Sequence, residues 1–280
     1  RQFAAAYSLE GDFSSARKAY RTAMHYSNLA GDDNTLSREY FEMARGYFET
    51  FESDSSAVYY AKAITLAEKL NDRNKIFISA GNLGILLLST GDLANGRKYL
   101  EYALVNRVPT SNKVASRVRL LNYAECLILM NEFTKADSVI SEIAILNAAL
   151  ADKWGEAFLY NLKGRLAYQH QHYEKSFTYL QKAYSSLPNS VDKFDLKNIL
   201  FNLGKSEFQL QKYDSAIVHL KQARSLSQTI KYTMDEMQSN DFLSRAFEKI
   251  NKPDSALAYF RDYSLLKDSV LSAQKQKNIV

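Results

Sequence analysis

The chain has 280 residues, 46% of them hydrophobic and 24% charged, with a formal net charge of +5. Its 36 Lys and Arg barely exceed its 31 Asp and Glu and nowhere cluster beyond the short stretch 275–277, which argues against a nucleic-acid surface built on massed cations. The lone cysteine, Cys126, excludes an intrachain disulfide, and no run reaches the roughly 18 apolar residues of a membrane helix.

Small residues return along the chain at a constant spacing of 40. One column reads Ala4, Ala44, Gly84, Ala124, Gly164, Gly204 and Ser244, and a second reads Ala16, Ser56, Gly96, Ala136, Ser176, Ala216 and Ala256. Four residues after the second column stand Tyr20, Tyr60, Leu100, Ile140, Leu180, Leu220 and Phe260, all large and apolar. Self-similarity at a fixed period of this length marks a stack of supersecondary units, each burying its apolar face on the next. With only 3 Pro and 10 Gly in the chain, the units are expected to be helical.

In chain order, turns are expected at Gly11-Asp12, Phe51-Glu52, Gly91-Asp92, Asn131-Glu132, Gln171-His172, Gln211-Lys212 and Asn251-Lys252. Around Gly91 the apolar spacing predicts helices over 73–90 and 93–105. Helices joined by so short a turn must cross closely, which explains the two small columns; the large column fills the space beside the crossing. After Pro253 nothing interrupts a helix until about residue 277, a length of roughly 37 Å.

These columns resemble the tetratricopeptide repeat (TPR). The resemblance is plainest in Asn82-Leu-Gly84, Leu87, Gly91-Asp-Leu93, Gly96, Leu100 and Ala103, and again in Asn202-Leu-Gly204, Tyr213, Ala216, Leu220 and Ala223, with Pro188 matching the family's closing proline. The period is longer than the family's common value of about 34. This longer variety is similar to TPR domains of sensor and regulatory proteins of Bacteroidetes-type bacteria. The resemblance implies an all-α, right-handed superhelical solenoid of seven antiparallel helix pairs. The pairs are expected over residues 1–263, the first truncated at its N-terminus, with a helical extension or cap over 264–280. Because Arg1 falls inside the first helix of the register, the chain is expected to be part of a longer protein.

In TPR superhelices the first helix of each pair lines the concave face, and the lining positions here recur at i, i+4 and i+7. They single out Arg45 and Phe48, then Arg165, Tyr168, Lys205, Phe208 and Arg245 as candidates for holding a peptide or protein with acidic groups. Ile85, Leu88, Leu121 and Ile128 are expected to form an apolar groove floor. Asn82, Asn122 and Asn202 share a neighbouring column, from which an amide can pair with both the donor and the acceptor of a peptide backbone, or else bond an adjacent repeat. A chaperone-type carboxylate clamp fails, because the required positions hold Asn161, Arg165, Asn202, Gln238 and Phe242.

Nucleotide-binding glycine loops, zinc motifs and nucleophile elbows are absent from the sequence, and His170 and His172 alone make a poor metal site. The chain is therefore expected to be no enzyme, to need no cofactor or metal, and to contact neither nucleic acid nor membrane itself. The stretch Leu266-Lys267-Asp268-Ser269 is similar to the junction that leads, in long TPR proteins of Bacteroidetes-type bacteria, toward a coiled coil and a membrane span or regulatory domain. The resemblance thus implies the sensory or scaffolding part of a larger envelope or regulatory protein, with the periplasm or cell envelope as its compartment. The alternatives are a cytoplasmic peptide-pheromone receptor module and an assembly scaffold that buries a partner's helix.

Overall fold

The computed structural model of the chain describes residues 6–7, 10–108, 112–150, 153–188 and 190–277, with side chains as far as residue 270. Among these lie thirteen helices and no strand. They are α1 (Phe13–Leu29), α2 (Asp33–Glu49), α3 (Ser53–Lys69), α4 (Arg73–Ser89), α5 (Leu93–Val105), α6 (Lys113–Leu129) and α7 (Phe133–Leu150). Then follow α8 (Lys153–Gln169), α9 (Tyr173–Ser185), α10 (Lys193–Gln209), α11 (Tyr213–Thr229), α12 (Thr233–Lys249) and α13 (Pro253–Lys277). The expected small residue Ala4 lies outside the described residues.

The chain divides into two compact units, Arg1–Leu146 and Asn147–Val280. Consecutive helices pack on one another from α1 to α6 in the first unit and from α8 to α13 in the second. The first helices of successive pairs also touch one another, α4 with α6 in the first unit, and α8 with α10 and α10 with α12 in the second. Each unit therefore has one layer of first helices and one of second helices. This is the solenoid of paired helices expected from the register.

The turns explain why the pattern is so regular. At the end of α4, Asp92 N–H donates to Leu87 O at 2.9 Å and Gly91 N–H to Leu88 O at 3.1 Å, with Gly91 at φ 88°. That is a Schellman ending, in which a left-handed residue lets the chain satisfy the helix's last carbonyls. Asp92 then caps α5, its carboxylate accepting from Asn95 N–H at 3.1 Å. Asp12 and Asp32 repeat the cap on Ser15 and Thr35. The bonds these three carboxylates accept hold their pKa values below the ordinary one.

Positive φ also occurs at Gly31, Asn71 and Lys231, between pairs as well as within them. The sequence period of 40 is thus a backbone period of 20 wherever this turn is kept. Two second helices break it: α5 and α9 have 13 residues where most others have 17. Pro188 follows α9, where proline's missing donor and fixed φ prevent continuation of a helix.

The small columns meet where expected. A β-carbon on Gly84 would lie 2.8 Å from Leu100 Cγ, and one on Gly204 would lie 2.7 Å from Leu220 Cγ. Where serine replaces glycine or alanine, its hydroxyl bonds the opposite helix at the same crossing: Ser56 Oγ donates to Ala44 O at 2.9 Å and Ser176 Oγ to Gly164 O at 2.8 Å. The large column from Tyr20 to Leu220 is buried throughout, and only Phe260, on the final helix, is 52% exposed.

Candidate binding surface

In the second unit the first helices α8, α10 and α12 each carry one of the expected cations, Arg165, Lys205 and Arg245, at the same position of the repeat. Interhelical bonds fix these helices side by side. Asn202 Nδ2 donates to Asn161 Oδ1 at 3.1 Å, and Gln209 Nε2 to the Tyr168 hydroxyl at 3.0 Å, both from α10 to α8. Phe242 of α12 packs edge-on against Phe201 and Phe208 of α10, at centroid distances of 6.0 and 5.6 Å.

Lys205 sits at the centre of this arrangement. Its ammonium lies 4.6 Å from the Tyr168 ring centre, 5.3 Å from Phe201 and 5.8 Å from Phe242. Among the described residues no carboxylate reaches ion-pair distance of it; Asp235, the acid close enough to act on it, is bonded to Lys197 instead. Burial between the rings, together with the nearby positive charge of Arg165, lowers the Lys205 pKa to about 8 against a smaller opposing pull from Asp235. Ring faces offer a cation a partial electrostatic partner, but they accept no strong hydrogen bond from an ammonium with three donors. One helix further on, the Arg245 guanidinium stands 5.0 Å from Phe208 and 5.2 Å from Phe242, and makes a long 3.4 Å pair with Asp241.

Tyr168 is thus brought to Lys205 and Phe208 to Arg245, with Arg165 near Lys205. Phe242, Gln209 and the Lys197–Asp235 pair were not singled out from the sequence. Lys197 is 0% exposed and is sandwiched between Phe194 and Tyr232, at 4.1 and 4.4 Å from their ring centres. Its signal was present in the repeat: the matching positions Phe77, Arg117 and Ala157 are buried too. A lysine in that column must bring its own counter-charge, and Asp235 supplies it.

In the first unit the expected residues have other roles. Arg45 is exposed and paired with Glu42 at 3.1 Å, and Phe48 is 40% exposed. The apolar floor is largely consumed by packing. Leu121 and Ile128 are only 7% and 1% exposed, so they present little surface to a ligand. Ile85 and Leu88 are half-buried, and Leu88 packs on Gly96, where an added β-carbon would lie 2.6 Å from its Cδ2.

The Asn column serves the chain itself in each case. Asn82 donates to the Tyr60 hydroxyl at 3.4 Å and accepts from Arg119 at 3.1 Å, and Asn122 donates to Val118 O of its own helix at 2.8 Å. Arg119 is a buried strap between α6 and α4, donating also to Phe77 O and Ile78 O at 3.1 and 3.0 Å. It lies so close over Gly81 that a β-carbon there would be 1.9 Å from its Nε. A repeat-to-repeat role, rather than a grip on a peptide backbone, accounts for Asn82 and Asn202.

Among the described residues no group of three His, Cys, Asp or Glu side chains is placed to hold a metal ion. No described helix is long and apolar enough to cross a membrane.

Comparison with solved structures decides the fold. The chain superposes with a TM-score of 0.69 on PH0952 from Pyrococcus horikoshii, a signal-transduction ATPase with numerous domains described as having a tetratricopeptide repeat sensor. The fold is that of the tetratricopeptide-repeat proteins. The match to PH0952 has 18% sequence identity and covers 98% of this chain but only 43% of that one. A TPR protein from Parabacteroides merdae matches with a TM-score of 0.64 at 12% identity, covering 95% of this chain and 96% of that one. The apo form of RapI matches with a TM-score of 0.64 at 14% identity, covering 84% and 99%. No protein-family profile and no curated protein sequence matches this chain.

Proposed function

We propose that this TPR-fold chain is a non-catalytic protein- or peptide-binding domain, the sensory or scaffolding part of a larger bacterial envelope or regulatory protein. Its ligand carries acidic groups that meet the row Arg165, Lys205 and Arg245, while the half-buried rings of Tyr168 and Phe242 supply apolar contact. The observation that carries this reading is Lys205: a cation set among three rings, with no carboxylate within ion-pair distance of it among the described residues. Desolvating a charge is costly unless a partner compensates it, so a site of this kind gains when an anion arrives. The match to a chain whose TPR part is described as a sensor, and which is more than twice as long, supports the placement within a larger protein.

A random peptide library displayed on phage tests the reading when panned on wild type and on the triple variant Arg165→Glu, Lys205→Glu, Arg245→Glu. Wild type is expected to enrich acidic sequences that the variant does not retain. Enrichment of the same sequences by both proteins would remove the basic row from the binding surface.

A further inference from the structure

Two columns of the repeat that are apolar along the rest of the chain turn polar together at one place. Glu207 of α10 stands where the other pairs carry Tyr7, Tyr47, Leu87, Leu127, Ala167 and Phe247. His219 of α11 stands where they carry Tyr, Val or Ala. Packed apolar groups would serve stability at least as well as a buried polar pair, so the pair points to a use other than stability.

Glu207 and His219 border a depression of about 440 Å³ in the second unit, on the side of the second helices. Its other walls are Thr178, Gln181, Tyr184 and Ser185 of α9, with Leu203 of α10. The His219 Nδ1–H donates to Glu207 Oε2 at 2.7 Å, while Oε1 accepts no hydrogen bond among the described residues. Thr178 and Ser185 donate their hydroxyl protons to Glu174 O at 2.9 Å and Lys182 O at 3.1 Å, which leaves their oxygens as acceptors. The Tyr184 ring stands at the rim, 44% exposed and 6.2 Å from the His219 ring. Lys182 also lines the depression, but its ammonium lies over the Tyr160 ring, 5.6 Å from the centre, and makes no ion pair with Glu207.

A similar depression of about 330 Å³ lies between α3 and α5 in the first unit. There Tyr99 takes the place of His219, and the acid that lines it, Glu68, is exposed and accepts from the Tyr102 hydroxyl at 2.7 Å. The gap between successive second helices therefore recurs with the repeat, whereas the buried carboxylate is particular to the α9–α11 copy.

An open carboxylate oxygen beside two acceptor hydroxyls suits a ligand that brings both donors and positive charge. A guanidinium gains most from the two oxygens of one carboxylate, and His219 already holds one of them. An ammonium is a compact charge with three donors, which one carboxylate oxygen and neighbouring hydroxyls can satisfy. The exposed Tyr184 ring suits the alkyl chain and the charge it carries.

We propose that the depression between α9 and α11 binds a primary alkylammonium group, supplied by a lysine side chain of a partner protein or by a free amine. Glu207 is its counter-charge, Thr178 and Ser185 are further acceptors, and Tyr184 is the apolar wall. Glu207 and Lys205 lie two residues apart on α10, about 200° around the helix. The site thus faces away from the basic row and stands independently of it.

Titrating the whole chain with butylamine and with Nα-acetyl-lysine methylamide at neutral pH tests this, followed by NMR of isotope-labelled histidine and tyrosine rings. Both ligands are expected to shift the His219 and Tyr184 resonances saturably. Glu207→Gln should weaken binding about tenfold or more, a difference of about 1.4 kcal/mol. Glu207→Phe with His219→Tyr installs the rings found one repeat later at Phe247 and Tyr259, and should keep the fold while losing the amine. The triple variant of the basic row should bind amines as wild type does, so this inference and the proposed function can fail separately. Tighter binding of the lysine derivative would assign the site to a partner's lysine, and equal or tighter binding of butylamine to a free amine. Undiminished affinity in Glu207→Gln, or no saturable shift in wild type, would overturn the proposal. So would equal binding of the trimethylated lysine derivative, which has no ammonium N–H to donate.

Discussion

Glu207 Oε2 lies 2.7 Å from His219 Nδ1, in the place where the next repeat stacks Phe247 flat on Tyr259 at 5.4 Å and the second pair stacks Tyr47 on Tyr59 at 5.5 Å. One position of the hairpin has thus been filled by two solutions, stacked rings and a buried polar pair. Glu207 is only 3% exposed. Removing one partner of such a pair strands the other, whereas replacing both by well-packed apolar groups is often neutral or stabilising. His219→Ala strands the buried Glu207 and is therefore expected to lower unfolding free energy by about 3 kcal/mol, and Glu207→Phe with His219→Tyr to recover it. Urea unfolding of both variants checks this; a double variant as unstable as the single one would mean that the two solutions are not interchangeable.

The small columns make a second prediction. A β-carbon on Gly204 would fall 2.7 Å from Leu220 Cγ and 3.3 Å from Ala216 O, so the side chain and the crossing helix must both give. Overpacking of this kind costs about 1–3 kcal/mol. Gly204→Ala should lower the denaturant midpoint by a corresponding amount with the slope unchanged. Shortening the opposing side chain in Gly204→Ala with Leu220→Val should cost less than the sum of the two single changes.

At the turns the prediction has the opposite sign. Phe51 adopts φ 60° and is 93% exposed, so it holds a left-handed conformation without a burial gain to offset it. The matching positions in other pairs include Gly11 and Gly91. Left-handed backbone costs an ordinary residue about 1–2 kcal/mol, and glycine's greater unfolded-state freedom returns part of that. Phe51→Gly is expected to stabilise the chain by about 0.5–1 kcal/mol, read as a rise in melting temperature. A fall would mean that the Phe51 ring makes a contact worth more than the backbone strain.

The repeat was legible because its small columns answer to backbone geometry: Gly84 and Gly204 cannot be enlarged without moving Leu100 or Leu220. Lining positions answer to weaker rules. Periodicity placed Ile128 and Lys205 on equivalent faces, but Ile128 is buried while Lys205 is half-buried between rings. The period alone does not say which neighbouring side chain closes over a position. Asn82 shows the same limit from the polar side. Its partner Arg119 lies 37 residues away, at a spacing unrelated to the repeat. Such long side chains reach across the register, so their bonds appear only in three dimensions. The halving of the period to 20 was hidden because Gly, Phe, Asn, Gln and Lys all take the same turn conformation.

Lys205 gives the chain a pH dependence whose sign can be worked out. In the folded chain its pKa lies at about 8, lowered by burial and by Arg165 on α8 and partly restored by Asp235 on α12, against an ordinary lysine value of 10.5. Below pH 8 the ammonium is charged in both states and the cost of burying it is present in full. Between about 8 and 10.5 the unfolded chain binds a proton that the folded chain has released, so stability rises with pH across that window. Lys205→Met should lack this rise, and the difference between the two unfolding free energies should shrink or change sign from pH 7 to pH 10. An acidic ligand reverses the linkage. It favours the charged ammonium, so affinity for an acidic peptide should fall as pH climbs past about 8, and complex formation above that pH should take up protons. Calorimetry in buffers of different ionisation enthalpy measures the uptake directly. If binding neither weakened nor took up protons there, Lys205 would not be the group that meets the acid.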